Sequence, residues 1–538
     1  MQSLQNAFLV PRAQIKFKMS HGALFFLCCL RKKEKMASAN QWYSQAAGGV
    51  VRVESYTTPF DWSRPDISSK QQPGVGTGFF VPLNKQKTAE GWRAILTCSH
   101  VLMGSLRNQI SIVFPKVGRQ RWQTAYVHAL CPTYDLGVVA FKIPAENTEI
   151  ANAIRPLPLI KNQTTSLVGE QVSAFGYPLG QPSLKYTSGE YSGLENGFIQ
   201  HNADINPGNS GGPLVLARTG EVVGVNALTM LYTSGVHYAV PIQLYSRLAH
   251  QLLSNVEPNI VVPPSLGFCY HAATEAMLSK NKVQLAGGAD PGGVYVYHLF
   301  KNSPLRKAGV QRGDIITRVR LPGKEWQALD RFGDLKTDWN GEQRVPIQHV
   351  LARVGVNDSV GLEICSQKGE TKQVNTVQIP LTPGSLCTMA PPFGEKPDYL
   401  LFGGLCVMSL RANHAELFPE LFAAMSTRCR EIEVLVVSAV MTGYTQAIPL
   451  RPGDIIETVN GIGGQGKALD PEFDGERVNT VAKYRAALMK SEDKYITITS
   501  TKGHVYILST KQALEREKAL VEVYKTDAEI LAWLETQQ

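Results

Sequence analysis

From residue 48 to residue 241, short apolar runs alternate with Gly, Pro, Asn, Asp and Ser. The runs at 50–53, 78–81, 94–97, 110–113, 137–141, 172–175, 197–199, 213–216 and 222–225 are rich in β-branched and aromatic residues. Each is too short for a helix and is bounded by turn formers, so each reads as a strand. Many short strands at close spacing predict an all-β barrel or sandwich. The pattern changes after Pro241, where Ile242, Leu244, Leu248 and Leu252 recur at helical spacing. Residues 241–254 therefore read as a helix that closes the β unit.

Within this unit lies Ile205-Asn206-Pro207-Gly208-Asn209-Ser210-Gly211-Gly212-Pro213-Leu214. A serine between glycines sits on a tight turn with bare amides near its hydroxyl, which suits a nucleophile whose product oxyanion must be held. A serine hydroxyl also needs a base to take its proton. The segment resembles the nucleophile loop of chymotrypsin-like serine proteases, and its Asn-Pro-Gly-Asn lead is similar to the HtrA/Deg branch. The resemblance implies that Ser210 attacks a peptide carbonyl and that the amides of Gly208 and Ser210 form the oxyanion hole. It extends to Gly76-Thr77-Gly78-Phe79, with Thr for the family's Ser, and to Thr97-Cys98-Ser99-His100, which makes His100 the base. Asp135, opening Asp135-Leu136-Gly137, matches the family's Asp-Leu-Ala block and becomes the acid behind His100. Asp204 is the rival acid, but it lies only six residues before Ser210 on the same loop.

Asp204 has a second reading. Trypsin-like enzymes place a carboxylate at this spacing, at the base of the primary specificity pocket. A buried, unpaired carboxylate there favours Lys or Arg in the substrate. The expected pocket wall, Gly224, Val225, Asn226 and Ala227, is small and uncharged, which alone suits aliphatic side chains.

Residues 256–265 are proline-rich and read as a linker. Beyond it the sequence repeats itself. Gln311-Arg312-Gly313-Asp314-Ile315-Ile316 returns as Leu450-Arg451-Pro452-Gly453-Asp454-Ile455-Ile456, each copy preceded by an apolar strand pattern and followed by a helix and strand pattern. Two copies of one plan argue for two related modules. The Gly-Asp-Ile-Ile pattern resembles the PDZ domains that follow HtrA proteases. That resemblance implies peptide binding by strand addition beside a carboxylate-holding loop. The loop would be Leu266-Gly267-Phe268 in the first module and Gly403-Gly404-Leu405 in the second, unless the latter is a plain glycine turn before a strand. Thr526 to Glu529 is a capping box ahead of a short C-terminal helix carrying Trp533.

The whole is 538 residues long, with ordinary hydrophobic and charged fractions of 43% and 18%, so several domains with their own cores are expected. Its net charge is +9, yet residues 1–35 hold seven basic side chains against one acid and account for +6. A nucleic-acid-binding body is not indicated. The nine cysteines are scattered and odd in number, without CxxC spacing, which predicts free thiols in a reducing compartment and no metal site. Residues 22–30 are too short to span a bilayer. The basic leader fits a signal peptide, which would make the protein exported, or a transit peptide, or an extension before a true start at Met36. The absence of a phosphate loop predicts no ATP use, and no cofactor is expected.

The expected architecture is thus mainly β. A basic leader (1–40) precedes a chymotrypsin-like double β-barrel protease domain (41–255), two PDZ-like α+β modules (265–382 and 399–510) and a helical tail (511–538). The implied function is an ATP-independent serine endopeptidase acting on unfolded or damaged proteins, assembled as a trimer or multiple of trimers. Trp42, Tyr43, Phe60 and Trp62 are either inter-subunit contacts or ordinary core. A chaperone or scaffold that keeps the protease fold, and a narrow processing protease, are the alternatives.

Overall fold

The computed structural model describes residues 43–537 except 45, 59, 68–69, 115–119, 162, 164, 230–234, 255–258, 284–291, 342, 356–357, 381–396, 422–431, 442–447, 471–472, 492–493, 522–523 and 525–526. The leader, Trp42, Cys28, Cys29, Cys387 and Cys429 lie outside the described residues.

The first twelve strands are β1 (Val50–Thr57), β2 (Gln72–Val81), β3 (Trp92–Thr97), β4 (Ser105–Phe114), β5 (Gln120–Cys131), β6 (Leu136–Lys142), β7 (Gln171–Gly176), β8 (Lys185–Glu195), β9 (Phe198–His201), β10 (Pro213–Leu216), β11 (Val222–Thr229) and β12 (His237–Pro241). They form the predicted pair of antiparallel barrels. In the first, the order β5-β4-β1-β2-β3-β6 closes through a β5–β6 pairing; in the second, β10-β11-β12-β9-β8-β7 closes on itself. Closure leaves few free edges, which is how an all-β unit with so many short strands avoids aggregation. One continuous apolar core fills both barrels and takes in Ile242, Leu244, Leu248 and Leu252. Those four lie on the helix Ile242–Leu252, which packs as the closing element its periodicity predicted.

Two further units follow. The first is a sheet in the order Phe268–Ala272, Val294–Leu299, Ile315–Arg320, Ser359–Cys365 and Thr371–Val377, with the helix Ile347–Leu351 packed into its core. The second combines a three-stranded sheet (Tyr399–Phe402, Leu405–Ser409, Leu435–Val440) with a four-stranded one around Ile456–Val459 and Tyr495–Ser500. A bridge between Val436 and Ile455 joins the two sheets.

The sequence repeat is a repeat of hydrogen bonds. In the first copy Gln311 N–H donates to the Asp314 carboxylate at 3.0 Å, and in the second Arg451 N–H donates to Asp454 at 2.9 Å. Gly313 and Gly453 share a positive φ (98° and 91°), and each exchanges bonds, with the Asp beside it, with a strand residue, Val296 or Val437. The Gly-Asp pair is thus a turn that locks one strand onto the preceding one.

Among the described residues Cys98, Cys131, Cys269, Cys365 and Cys406 are free thiols, and no helix is long and apolar enough to cross a membrane.

Candidate active site

β3 and β6 run antiparallel, with Thr97 opposite Gly137. The chain leaves β3 through Cys98 into the short helix Ser99–Leu102, which carries His100. It enters β6 from the 3₁₀ turn Pro132–Tyr134, whose cap, Asp135, is left-handed at φ 52°. A non-glycine residue tolerates that conformation when its surroundings fix it, and Asp accepts it better than most. Here three bonds do so. Asp135 Oδ1 accepts the His100 backbone N–H at 2.9 Å, Oδ2 lies 2.7 Å from His100 Nδ1, and the Asp135 carbonyl accepts Ser99 N–H at 3.1 Å. A carboxylate accepts only, so this contact puts the proton on Nδ1 and leaves the Nε2 lone pair free to act as a base. The imidazole is 45% exposed, so a substrate can reach it.

The nucleophile loop is held from the other barrel by Thr77 of β2. Its N–H donates to Ser210 O at 2.8 Å and its hydroxyl to Gly208 O at 2.6 Å, while Thr77 Oγ1 accepts Tyr177 N–H at 3.0 Å. Gly208 adopts φ 99°, and a Cβ there would meet Tyr177 O at 2.3 Å; Gly211, at φ 85°, would place one 2.1 Å from Thr97 Oγ1. Both positions need glycine on space and on backbone conformation. The Pro207 carbonyl accepts Leu179 N–H at 2.6 Å. Because a trans peptide is planar, Gly208 N–H must point the opposite way. Among the described residues neither Gly208 N–H nor Ser210 N–H has an acceptor. Two unpaired donors on one loop are what an oxyanion requires.

Ser210 Oγ donates weakly to Ala227 O at 3.5 Å, and no hydrogen bond joins it to His100. Such bonds are commonly long in a ligand-free site and tighten with substrate. Beneath the pair, the fully buried Cys98 thiol donates to Asn226 O at 3.3 Å. Burial, and then the neighbouring Asp135 charge, push its pKa well above the usual thiol range. Cys98, His100 and Asp135 keep their donor atoms within 4.8 Å of one another. With the thiol protonated and Nδ1 committed to Asp135, the set is arranged for proton transfer rather than metal ligation.

Several expectations need correction. Asp204 is not buried: its side chain is 75% exposed and lies 3.5 Å from His237 Nε2. The desolvation argument for Lys or Arg preference therefore has no basis here, and the acid against His100 is Asp135. Gly224, Val225 and Asn226 do not wall a cleft. Val225 and Asn226 are fully buried, and a Cβ on Gly224 would meet Ile199, Val240 and Ala239. Asn226 instead backs the nucleophile loop, accepting Gly211 N–H and donating its own N–H to Gly212 O.

Leu266-Gly267-Phe268 leads into Phe268–Ala272, the terminal strand of its sheet, so one edge has no strand partner among the described residues. Gly267 has φ 70°, and its N–H donates to Ser265 Oγ at 3.0 Å, a displaceable local acceptor. Gly403-Gly404 differs. With φ 58° and 86° between the paired residues Phe402 and Leu405, it is a two-residue hairpin turn. The strand Leu405–Ser409 has neighbours on both sides, and Gly403 N–H donates to Glu517 at 2.6 Å. The plain glycine turn is what the second unit contains. Phe60 and Trp62 are internal core, packed on that second unit, while Tyr43 donates to Leu184 O and packs near Tyr186.

Thr77 was legible only as part of a motif. Its role needs the loop 131 residues away to be in place, and local sequence gives no sign of that.

The trypsin-like peptidase domain family matches residues 76–225. "Serine protease Do-like HtrB" of Bacillus subtilis is 33% identical over 226 residues, 38% of this chain and 44% of that protein. A "Probable periplasmic serine endoprotease DegP-like" of Hahella chejuensis is 30% identical over 347 residues, 56% of this chain and 66% of that protein. "Putative protease Do-like 13" of Arabidopsis thaliana is 22% identical over 376 residues, 68% of this chain and 69% of that protein. The chain thus spans 44% to 69% of the lengths of these relatives, and less than two thirds of the first two. A solved structure of "HtrA-type protease AlgW with decapeptide" aligns with 63% of this chain and 98% of its own at 20% identity and TM-score 0.43. By its double barrel, its Ser210 loop and these sequence relatives, the chain carries a trypsin-like peptidase domain similar to that of the HtrA/Deg serine proteases.

Proposed function

We propose that the protein is an ATP-independent serine endopeptidase that cuts unfolded or damaged proteins, with His100, Asp135 and Ser210 as its catalytic groups. The observation that carries this is the double grip of Asp135 on His100, through ring and backbone, together with the Gly208 and Ser210 amides, which have no acceptor among the described residues. His100 Nε2 takes the Ser210 proton as Oγ attacks the peptide carbonyl. The oxyanion forms between the Gly208 and Ser210 N–H groups, and the imidazolium, steadied by Asp135, returns the proton to the leaving amine. Water then repeats the sequence on the acyl-enzyme and frees Ser210.

Substrate delivery falls to the first PDZ-like unit. An extended peptide adds to the open edge of Phe268–Ala272 beside Leu266-Gly267-Phe268, across from the helix Ile347–Leu351. The second unit, with its strand flanked on both sides, has a structural role instead. Assembly as a trimer is part of this proposal, and light scattering tests it. Digestion of casein by wild type but not by Ser210→Ala tests the activity. The loss should be on the order of a million-fold in turnover, and equal digestion by the two proteins contradicts the reading.

A further inference from the structure

The segment between β1 and β2 is left unused by the catalytic reading, yet it is firmly anchored. Trp62 leaves the catalytic barrels and sinks into an apolar cluster of the second repeat unit, with Met408, Leu410, Leu421, Val434, Val436 and Ile455. Only 8% of it is exposed. Its ring meets the His414 imidazole edge-on at 5.1 Å and Phe60 at 4.9 Å. The residues beyond it are stiffened locally. Asp61 accepts the N–H groups of Ser63 and Arg64 and the Ser63 hydroxyl, while Arg64 forks onto Asp66 at 2.8 and 2.9 Å. The same guanidinium lies over Tyr524, 5.7 Å from the ring centre.

Each root of this segment ends on one half of the candidate site. At one root Thr58 N–H donates to Gly104 O at 3.1 Å, and Thr57 pairs with Ser105, just after the helix that carries His100. At the other root β2 begins at Gln72 and leads to Thr77, which holds the Ser210 and Gly208 carbonyls. We propose that residues 60–67 are a strap and Trp62 its anchor, a positioning residue through which the second repeat unit keeps the His100 and Ser210 halves of the site in register. This rests on the reading of those two residues as a catalytic couple. A large aromatic is the strongest single anchor available to a short segment. Misplacing reacting groups by about 1 Å is enough to cost on the order of a hundredfold in rate.

The test uses the full chain and two readouts: the rate at which a fluorophosphonate labels Ser210, and hydrogen exchange of the Thr58 amide. Trp62→Ala should slow labelling about tenfold and speed Thr58 exchange, and Trp62→Phe should restore most of the rate. Met408→Ala, which loosens the socket from the far side, should slow labelling likewise. Because the two residues act through one contact, the double variant should be no slower than the slower single one. Labelling by Trp62→Ala at the wild-type rate while Thr58 exchanges freely overturns the proposal, and so do losses that multiply in the double variant. If wild type takes no label, the catalytic reading fails instead, and Thr58 exchange alone decides whether the strap is anchored.

Discussion

Asp135 shows how much one residue does in this site. Its carboxylate fixes the tautomer of His100 and, through the backbone bond, the helix turn beneath it. Asp135→Asn keeps the shape but offers an N–H where an acceptor is needed, so turnover at neutral pH should fall by about 10⁴-fold. Steady-state kinetics on a peptide substrate measures this, with little change expected in KM. Thr77 is the second residue to test. Thr77→Val removes the hydroxyl that bonds Gly208 O and Tyr177 N–H and leaves both buried groups short of a partner. Such a loss costs about 1–3 kcal/mol. Thr77→Ser keeps the hydroxyl, so it should retain near-wild-type labelling of Ser210 while Thr77→Val loses most of it.

At the scale of elements, the helix Thr510–Val521 makes a pH-dependent contact with the hairpin turn at Gly403. Glu517 on that helix is 1% exposed and accepts Gly403 N–H. Burial raises its pKa from 4.5 to about 7, outweighing the bond from Gly403. In the unfolded chain Glu517 loses its proton near pH 4.5, but in the fold it keeps it to about pH 7. Between these values the folded state binds more protons, so the contact loses stability as pH rises, by on the order of 3 kcal/mol in all. Glu517→Gln keeps an acceptor for Gly403 without the charge. Its stability advantage over wild type should grow from pH 5 to pH 7 and then level off, as read by hydrogen exchange across the second unit.

The same elements show what the sequence could and could not announce. The Gly-Asp turns were legible because the bonds that make them, Gln311 to Asp314 and Arg451 to Asp454, are local. The barrel strands were legible because each carries its own burial pattern and its own turn. Gly403-Gly404 was ambiguous because a Gly-Gly pair serves a hairpin or a carboxylate loop equally well; the neighbour at Tyr399–Phe402 decides which. Asp204 misled because spacing along the chain fixes a loop position but not its burial. The docking of Trp62 on residues more than 340 positions later leaves no local trace at all.

Over the whole molecule, the first repeat unit is fastened to the catalytic barrels mainly by polar contacts, beside Ala352, which packs against the barrel core. Arg247, on the closing helix, donates to Ala352 O at 2.6 Å, Pro264 O at 3.0 Å and Gln378 Oε1 at 3.2 Å. Gln163 donates to Trp339 O at 2.9 Å. The helix that borders the open strand edge belongs to this contact, since His349 packs on Gly197 in the β8–β9 turn. Arg247→Ala should weaken the docking by about 2 kcal/mol or more, because bonds to a charged group are the stronger ones. Small-angle scattering should then show a broader range of shapes, with the catalytic barrels still folded.

The central claim is that Ser210 is a nucleophile made reactive by His100 and Asp135. Treating the full-length protein with a fluorophosphonate and mapping the adduct by mass tests it most directly. The account predicts one label per chain, on Ser210, lost in His100→Ala and strongly slowed in Asp135→Asn. A wild-type chain that stays unlabelled, or one whose Ser210 labels equally fast without His100, contradicts it.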